Sequence, residues 1–209
     1  FDGLAAGDVV TGLTGVQTEA VLAGRELRRL DTQYAPARSF LSGLGMTGYT
    51  AYFGLLDVGQ PKADETVVVS AAAGAVGSIA CQIARLQGCR VVGIAGGPDK
   101  MRFLRDEIGV DAAIDYKAGN VGKALDEACP SGIDVYFDNV GGDILDAVLA
   151  RINRHARIVV CGAISQYADM DAVTGPSNYL QLIAQSARMQ GFTMRDYLKR
   201  IPEAVMQLL

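Results

Sequence analysis

The sequence contains no tryptophan, a single histidine and four cysteines among its 209 residues. The cysteines stand at positions 81, 89, 129 and 161, and no two of them form a Cys-x-x-Cys pair. A metal site of the usual cysteine and histidine kind therefore has almost no ligands to draw on, and we predict none. The single histidine, His155, lies in a polar turn before an apolar run, so we expect it at the surface. Thiols within helices and strands favour a reducing compartment, so we expect a cytoplasmic protein.

Long apolar runs and basic stretches are also missing. The longest apolar runs are far shorter than the ~20 residues that a membrane-spanning helix needs, so we expect no membrane association. The formal net charge is −4 and no basic stripe is present, which argues against nucleic-acid binding. Half of the residues are hydrophobic and 20% are charged, a composition that is typical of globular proteins.

The chain has instead a regular alternation of apolar, β-branched runs with amphipathic stretches of helix length. This alternation predicts βαβ units and an α/β fold, a doubly wound parallel sheet of the Rossmann kind with six strands. The predicted strands are 66–70, 90–95, 112–115, 134–138, 156–161 and 189–194. The predicted helices are 40–56, 77–88, 99–107, 119–129, 143–151 and 178–188.

The first 40 residues differ from the rest of the chain. Short runs at 7–12, 16–22 and 27–30, separated by glycine turns, predict antiparallel strands that are too few to form a core. We therefore predict that residues 1–40 are the remnant of another, all-β domain and that residues 41–209 form one nucleotide-binding domain. Because the chain begins without methionine and ends inside a helical pattern, we expect a fragment that is truncated at both ends.

The turn after the first long strand carries the most information about function. It reads Ala72-x-Gly74-x-x-Gly77, a dinucleotide-binding fingerprint in which alanine replaces the first glycine. Such a turn lets a diphosphate approach bare backbone N–H groups and the positive end of a helix dipole. Small residues at this junction also serve tight packing alone, but a second strand one helix length later completes the βαβ unit that the fingerprint requires. We predict that Gly74, Ala75, Val76, Gly77 and Ser78 bind the cofactor.

The end of the next strand indicates which dinucleotide is bound. NAD-binding domains carry an acid about 20 residues after the fingerprint, to bond the ribose 2′-hydroxyl. Glycine occupies that place in Gly96-Gly97-Pro98-Asp99-Lys100, and Lys100 can supply a charge-assisted hydrogen bond to a 2′-phosphate. The pattern favours NADP(H). The alternative for this segment is that Lys100 is solvated, and we expect Asp99 to cap the following helix.

Other strand ends supply further candidates, because ligands of doubly wound sheets bind at the carboxyl ends of the strands. Tyr116 can stack on adenine or bond the 2′-phosphate, or it is an ordinary rim tyrosine. Asn139, before two glycines, can bond ribose or the nicotinamide amide, or it belongs to a simple turn. The loop 161–167 would cover the nicotinamide half and bring the phenol of Tyr167 near the reacting centre.

Four segments, taken together and in this order, resemble the zinc-independent branch of the medium-chain dehydrogenase/reductase superfamily. That branch includes prostaglandin reductases, leukotriene hydroxydehydrogenases, alkenal double-bond reductases and bacterial curcumin-type reductases. Gly43 takes the place of a zinc-ligating cysteine of the zinc-dependent relatives, and Thr47 and Tyr49 replace the usual proline and leucine. The four segments are Gly45-Met46-Thr47-Gly48-Tyr49-Thr50-Ala51-Tyr52, Gly74-Ala75-Val76-Gly77-Ser78, Asp138-Asn139-Val140-Gly141-Gly142 and Cys161-Gly162-Ala163-Ile164-Ser165-Gln166-Tyr167.

The resemblance implies an NADPH-dependent reduction of a carbon–carbon double bond conjugated to a carbonyl, with an enal or enone as substrate. It implies that residues 1–40 belong to a GroES-like domain, most of which is absent, and that the protein forms a homodimer through the last strand of the sheet. It places Ala75 to Ser78 at the diphosphate and Lys100 and Tyr116 at the 2′-phosphate. Around the nicotinamide half it places Asn139, Cys161, Gly162, Ala163, Ile164, Ser165, Gln166, Tyr167, Phe192, Thr193 and Met194.

In such a reaction hydride reaches the β-carbon and negative charge develops on the carbonyl oxygen. That oxygen needs a donor, which can be a ribose hydroxyl of the cofactor, the phenol of Tyr167 or both. Tyr167 is the candidate catalytic residue, and we expect the isolated fragment to be inactive. The alternatives are a quinone reductase or a zinc-free alcohol dehydrogenase of the same superfamily, or a nucleotide-binding module without turnover.

Overall fold

Six parallel strands form the central sheet of the computed structural model, which describes residues 3–209. The strands are β3 Thr66–Ser70, β4 Arg90–Ala95, β5 Ala112–Asp115, β6 Ile133–Asp138, β7 Ile152–Val160 and β8 Arg188–Gly191. Their order in the sheet is β5-β4-β3-β6-β7-β8, the order of a doubly wound dinucleotide-binding fold, and it confirms the predicted fold class.

The central strand β3 shows why the sheet is covered on both faces. Val67, Val68 and Val69 are all completely buried, as expected for a parallel strand with helices on either side. Because successive side chains point to opposite faces, Val67 and Val69 enter one apolar core and Val68 enters the other.

Helices cover the two faces of the sheet. They are α1 Met46–Phe53, α2 Ala75–Leu86, α3 Pro98–Arg102, α4 Val121–Ala128, α5 Gly142–Leu149, α6 Gln181–Ala184 and α7 Ile201–Leu208. One core packs beneath α1, α2, α3 and α7, and the other beneath α4 and α5. Two of the helices continue as π-helical turns, α1 over Gly54–Gly59 and α3 over Phe103–Ile108.

The single helix predicted over 40–56 is wrong in its first part. A 3₁₀ turn, Ala37–Leu41, ends at Ser42, and α1 begins only at Met46. The chain folds back so closely here that a Cβ on Gly48 would lie 1.7 Å from the carbonyl oxygen of Gly43. The glycines of this segment permit that close backbone approach, which a continuous helix would not make.

The predictions for the last strand and the helix before it also need correction. The strand spans Arg188–Gly191 rather than 189–194, because Thr193 accepts a hydrogen bond from the Arg195 N–H and starts a 3₁₀ turn. The helix predicted over 178–188 is reduced to α6 and a preceding 3₁₀ turn. It stops early because Ser186 adopts a left-handed conformation, with φ of 49°.

His155 is exposed, as predicted, but it lies inside β7 rather than in a turn before it. Its backbone is left-handed, with φ of 64°, and the pairing of β6 with β7 changes register at this point. A bulge therefore lengthens β7 beyond the predicted strand at its amino end.

The segment before residue 41 contains one small antiparallel ladder, β1 Val10–Thr11 paired with β2 Arg28–Arg29. The third predicted strand, 16–22, is not formed, and Val16 and Val21 are fully exposed. Leu30 packs with Phe40 and Leu44 in a small cluster apart from the two cores. Within residues 3–209, no helix is both long enough and apolar enough to span a membrane.

Candidate functional site

A cavity of about 570 Å³ opens at the carboxyl ends of the strands, where ligands of doubly wound folds bind. Every strand from β3 to β7 contributes to it through the segment that follows the strand. Its principal lining residues are Ala73, Gly74, Gly96, Lys100, Tyr116, Val140, Gly141, Ile164 and Ser165.

The glycine turn after β3 is tight and presents the start of a long helix to this cavity. Gly74 precedes the first residue of α2, and Ala71 takes a left-handed conformation with φ of 47°. A Cβ on Gly77 would lie 2.3 Å from the carbonyl oxygen of Ala71, so only glycine fits there. The first N–H groups of α2 have no partners within the helix, and they are suited to an anion such as a diphosphate.

The predicted role of Asp99 as a helix cap is wrong. The N-cap position of α3 is occupied by Gly97, so no side chain caps the helix. The Asp99 carboxylate instead accepts a hydrogen bond of 2.6 Å from the Arg102 guanidinium. Lys100 lies between these two residues in sequence and lines the cavity. None of the ion pairs within residues 3–209 involves Lys100.

Tyr116 lines the same cavity as Lys100 and is about half exposed. A Cβ on Gly96 would come within 2.7 Å of its ring, so the glycine makes room for the aromatic side chain. Asp115 fixes this corner by accepting hydrogen bonds from the N–H groups of Gly97 at 3.0 Å and Lys117 at 2.9 Å. These bonds hold the pKa of the Asp115 carboxyl below its usual range. The structure therefore brings together the residues predicted for the 2′-phosphate.

Asn139 uses its amide to join two strand ends rather than to face the cavity directly. Its Nδ2 donates to the carbonyl oxygen of Ser70 at 2.7 Å, and its backbone N–H donates to Ser70 Oγ at 2.8 Å. A contact of Asn139 with ribose or nicotinamide stays a prediction.

The loop 161–167 is divided between the cavity and the surface. Ile164 and Ser165 line the cavity, whereas Tyr167 is exposed and its hydroxyl accepts a hydrogen bond of 3.0 Å from the Ala163 N–H. Cys161 begins the loop, and burial, with a contribution from Asp138, raises the pKa of its thiol to about 11. The thiol is therefore protonated at neutral pH and a poor nucleophile.

Phe192, Thr193 and Met194 lie away from the cavity lining. Phe192 and Met194 pack against the apolar core on the α1 side of the sheet, and Thr193 caps the turn that follows β8. A contact of these three residues with the nicotinamide stays a prediction. Within residues 3–209, no three histidine, cysteine, aspartate or glutamate side chains are grouped so that they could hold a metal ion.

Three further cavity residues, which the sequence patterns did not predict, lie in the first turns of helices. Val121 begins α4, and Asp143 and Ile144 lie in the first turn of α5. Their position in the sequence could have identified them, because every helix that follows a parallel strand begins at the edge of the sheet where the cavity lies.

Comparison with known proteins adds to this geometry. The zinc-binding dehydrogenase family matches residues 75–209. The chain is 53% identical over 208 residues to the putative NADP-dependent oxidoreductase YfmJ of Bacillus subtilis, covering 98% of this chain and 61% of that protein. It is 46% identical to the NADPH-dependent curcumin reductase of Escherichia coli, over 95% of this chain and 59% of that one.

Among solved structures, CurA from Vibrio vulnificus in complex with NADPH is similar, with 45% identity and a TM-score of 0.81. That match covers 88% of this chain and 56% of that one. The chain thus spans between half and two thirds of the length of the relatives it matches.

Proposed function

Because the chain belongs to the zinc-binding dehydrogenase family, within the zinc-independent branch of the medium-chain superfamily, we propose that it is the cofactor domain of an NADPH-dependent reductase. The reaction is reduction of the carbon–carbon double bond of an α,β-unsaturated aldehyde or ketone, in which hydride is transferred to the β-carbon and a proton from solvent or a tyrosine is added at the α-carbon. The observation that carries the proposal is one cavity that joins the start of α2, Lys100 and the loop containing Ile164 and Ser165.

The cavity residues fit NADP(H) at two points. The tight turn at Gly74 and Gly77 leaves no room for a side chain and presents bare N–H groups to a diphosphate. On the neighbouring wall, Lys100 and Tyr116 supply a cation and a phenol for a 2′-phosphate. An acid that would repel the phosphate is absent from the usual place, because Gly96 and Gly97 follow β4.

The chain also offers a donor for the oxygen that becomes negative during the reduction. NADPH, when bound, supplies the hydride. The Tyr167 hydroxyl already accepts a hydrogen bond from the Ala163 N–H, which leaves its own proton to be donated. A donor of this kind stabilises the developing enolate most when it is positioned before the reaction begins. Tyr167 is accordingly the proposed catalytic residue.

Three further proposals concern the whole protein. Residues 1–40 would belong to the GroES-like domain, whose remainder would cover exposed side chains such as Val16 and Val21. Two copies would pair through β8, an exposed edge strand that has no neighbour on its outer side among the strands of residues 3–209. The four cysteines are all free thiols, which supports a cytoplasmic location.

Assays on the full-length protein test the proposed reaction. NADPH oxidation is followed with a small enone and, in parallel, with a quinone, and the product is identified. We expect the saturated ketone from the enone. Turnover of the quinone alone would contradict the proposed substrate class, and cofactor binding without any turnover would indicate a nucleotide-binding module.

A variant distinguishes the catalytic role of Tyr167 from cofactor binding. Tyr167→Phe should lower kcat by roughly 100-fold, the effect of losing one preorganised donor, with little change in the Kd for NADPH. An unchanged kcat would leave the ribose hydroxyl of the cofactor as the donor.

A further inference from the structure

Asp138 is a buried acid at the carboxyl end of β6, only 1% exposed. Its Oδ1 accepts hydrogen bonds from Ser70 Oγ at 3.0 Å, from Tyr136 Oη at 2.8 Å and from the N–H groups of Val140 and Gly141, each at 2.9 Å. Burial, the larger cause, and the charge of Asp138 raise the pKa of Tyr136 well above its usual value, so that phenol stays a donor. One carboxylate oxygen thus ties β3 to the turn that follows β6.

The main chain of Asp138 holds a second segment of the cavity wall. Its carbonyl oxygen accepts hydrogen bonds from the N–H groups of Cys161 at 2.8 Å and Gly162 at 3.0 Å. Through its side chain and its carbonyl, a single residue therefore fixes the start of both segments that face the cofactor cavity on this side, 140–144 and 161–165.

These two segments are bonded to each other as well. Both the N–H and the hydroxyl of Ser165 donate to the carbonyl oxygen of Val140, the latter at 2.6 Å. The turn between β6 and α5 passes through two left-handed glycines, Gly141 with φ of 71° and Gly142 with φ of 57°. Such a turn has many alternative conformations open to it, and the bonds to Asp138 select one of them.

We propose that Asp138 is a positioning residue, which sets the affinity for NADPH by holding Val140 and Gly141, and through Val140 also Ser165, in place against the cofactor. It does not line the cavity itself, and it acts through the backbone of the residues that do. The inference rests on the proposed function, since it presumes that this cavity holds NADPH. It assigns a role to a buried carboxyl group to which the proposed cofactor contacts assign none.

The same strand provides a matched control. Asp134, at the amino end of β6, also ties that strand to β3, because its carboxylate accepts the Thr66 N–H at 2.8 Å. Its other oxygen accepts the Asn153 side chain at 2.8 Å. Asp134 therefore resembles Asp138 as a bridge between strands, but it lies at the opposite end of the sheet from the cavity.

The test compares Asp138→Ala, Asp138→Asn and Asp134→Ala in the full-length protein. Thermal unfolding measures stability, and fluorescence titration with NADPH, well below each Tm, measures the Kd of the folded protein. Both alanine variants should lower Tm. Of the two alanine variants, only Asp138→Ala should raise the Kd, by about 10-fold or more. Asp138→Asn keeps an acceptor oxygen and should recover most of the lost affinity.

If Asp138→Ala does not fold, Tyr136→Phe removes one of the four hydrogen bonds to Asp138 and should raise the Kd by a smaller factor. An unchanged Kd in the Asp138 or Tyr136 variant that folds, or an equal rise in Asp134→Ala, would overturn the positioning role. Failure of the unmodified protein to bind NADPH would instead overturn the proposed function.

Discussion

The Asp99 carboxylate and the Arg102 guanidinium are paired at 2.6 Å, one turn apart on α3. The pair leaves Lys100, which lies between them in sequence, as the charged residue of this helix that lines the cavity. An acid next to a phosphate site ordinarily weakens phosphate binding, because the two negative charges repel. The pairing with Arg102 offsets the charge of Asp99.

Replacement of Lys100 tests the preference for NADPH. Lys100→Ala should weaken NADPH binding by roughly 10- to 100-fold, the value of a hydrogen bond to a charged group, because the 2′-phosphate loses its cation. Binding of NADH, which has no 2′-phosphate, should change little. Fluorescence titration with both cofactors measures this, with Lys62→Ala, at the amino end of the sheet, as the control. Equal losses for the two cofactors would show that Lys100 does not contact the 2′-phosphate.

A double-mutant cycle on Asp99 and Arg102 measures the effect of this ion pair on NADPH affinity while Lys100 stays in place. Arg102→Ala leaves the Asp99 charge uncompensated, so NADPH binding should weaken, by about three- to fivefold for an exposed charge. Adding Asp99→Ala to Arg102→Ala should restore the affinity for NADPH. Both side chains of the pair are exposed, so the stability of the single variant should change by less than about 1 kcal/mol. Additive effects of the two substitutions would contradict the proposed compensation.

The close approach at the glycine turn predicts a large effect at Gly77. In Gly77→Ala the new Cβ meets the Ala71 carbonyl oxygen, so the turn and the start of α2 must shift apart. NADPH affinity should fall by at least about 10-fold, because the N–H groups that face the diphosphate move with the helix. Gly119→Ala, where a Cβ meets nothing within 4 Å, is the control for the same substitution. Normal affinity in Gly77→Ala would indicate that the diphosphate lies elsewhere.

Glu65 and Arg157 predict an acid-sensitive contribution to stability. Burial opposes ionisation of Glu65, but hydrogen bonds from Arg157 and the Lys62 N–H outweigh it, and the pKa of Glu65 is lowered. A lowered pKa means that the stabilisation is present above the pKa of the unfolded chain and is lost as the pH falls through the folded value.

Both side chains of this pair are largely shielded, at 14% and 19% exposed. Glu65→Gln should therefore lower the free energy of unfolding by about 1.5 kcal/mol near neutral pH, the lower end of the range for a hydrogen bond to a charged group, because Arg157 keeps its bonds to the carbonyl oxygens of Gly59 and Gln60. The difference from the unmodified protein should shrink below about pH 4. Urea unfolding across this range measures it, with the exposed Glu107→Gln as the control. A difference that is independent of pH would show that the pair contributes no charge interaction.

Several elements of the fold followed from local patterns. The apolar, β-branched run Val67–Val69 indicated a strand of a parallel sheet, and the small residues after it indicated a strand–turn–helix unit. Both inferences depend only on neighbours in sequence, and the structure confirms them. The end of β8 did not follow, because Phe192 leaves the strand to pack against Gly54, a contact between distant parts of the chain.

By itself the sequence determined the fold class, the position of the glycine turn and the candidates Lys100 and Tyr116, because a βαβ pattern fixes which strand ends share one edge of a sheet. The tertiary structure decided how those side chains are used. It paired Asp99 with Arg102 rather than with the helix N-terminus, since an acid in a first turn has either partner available. It also gathered Asp138, Ser70 and the loop at Cys161 into one network, because hydrogen bonds between separate strands exist only once the sheet has formed.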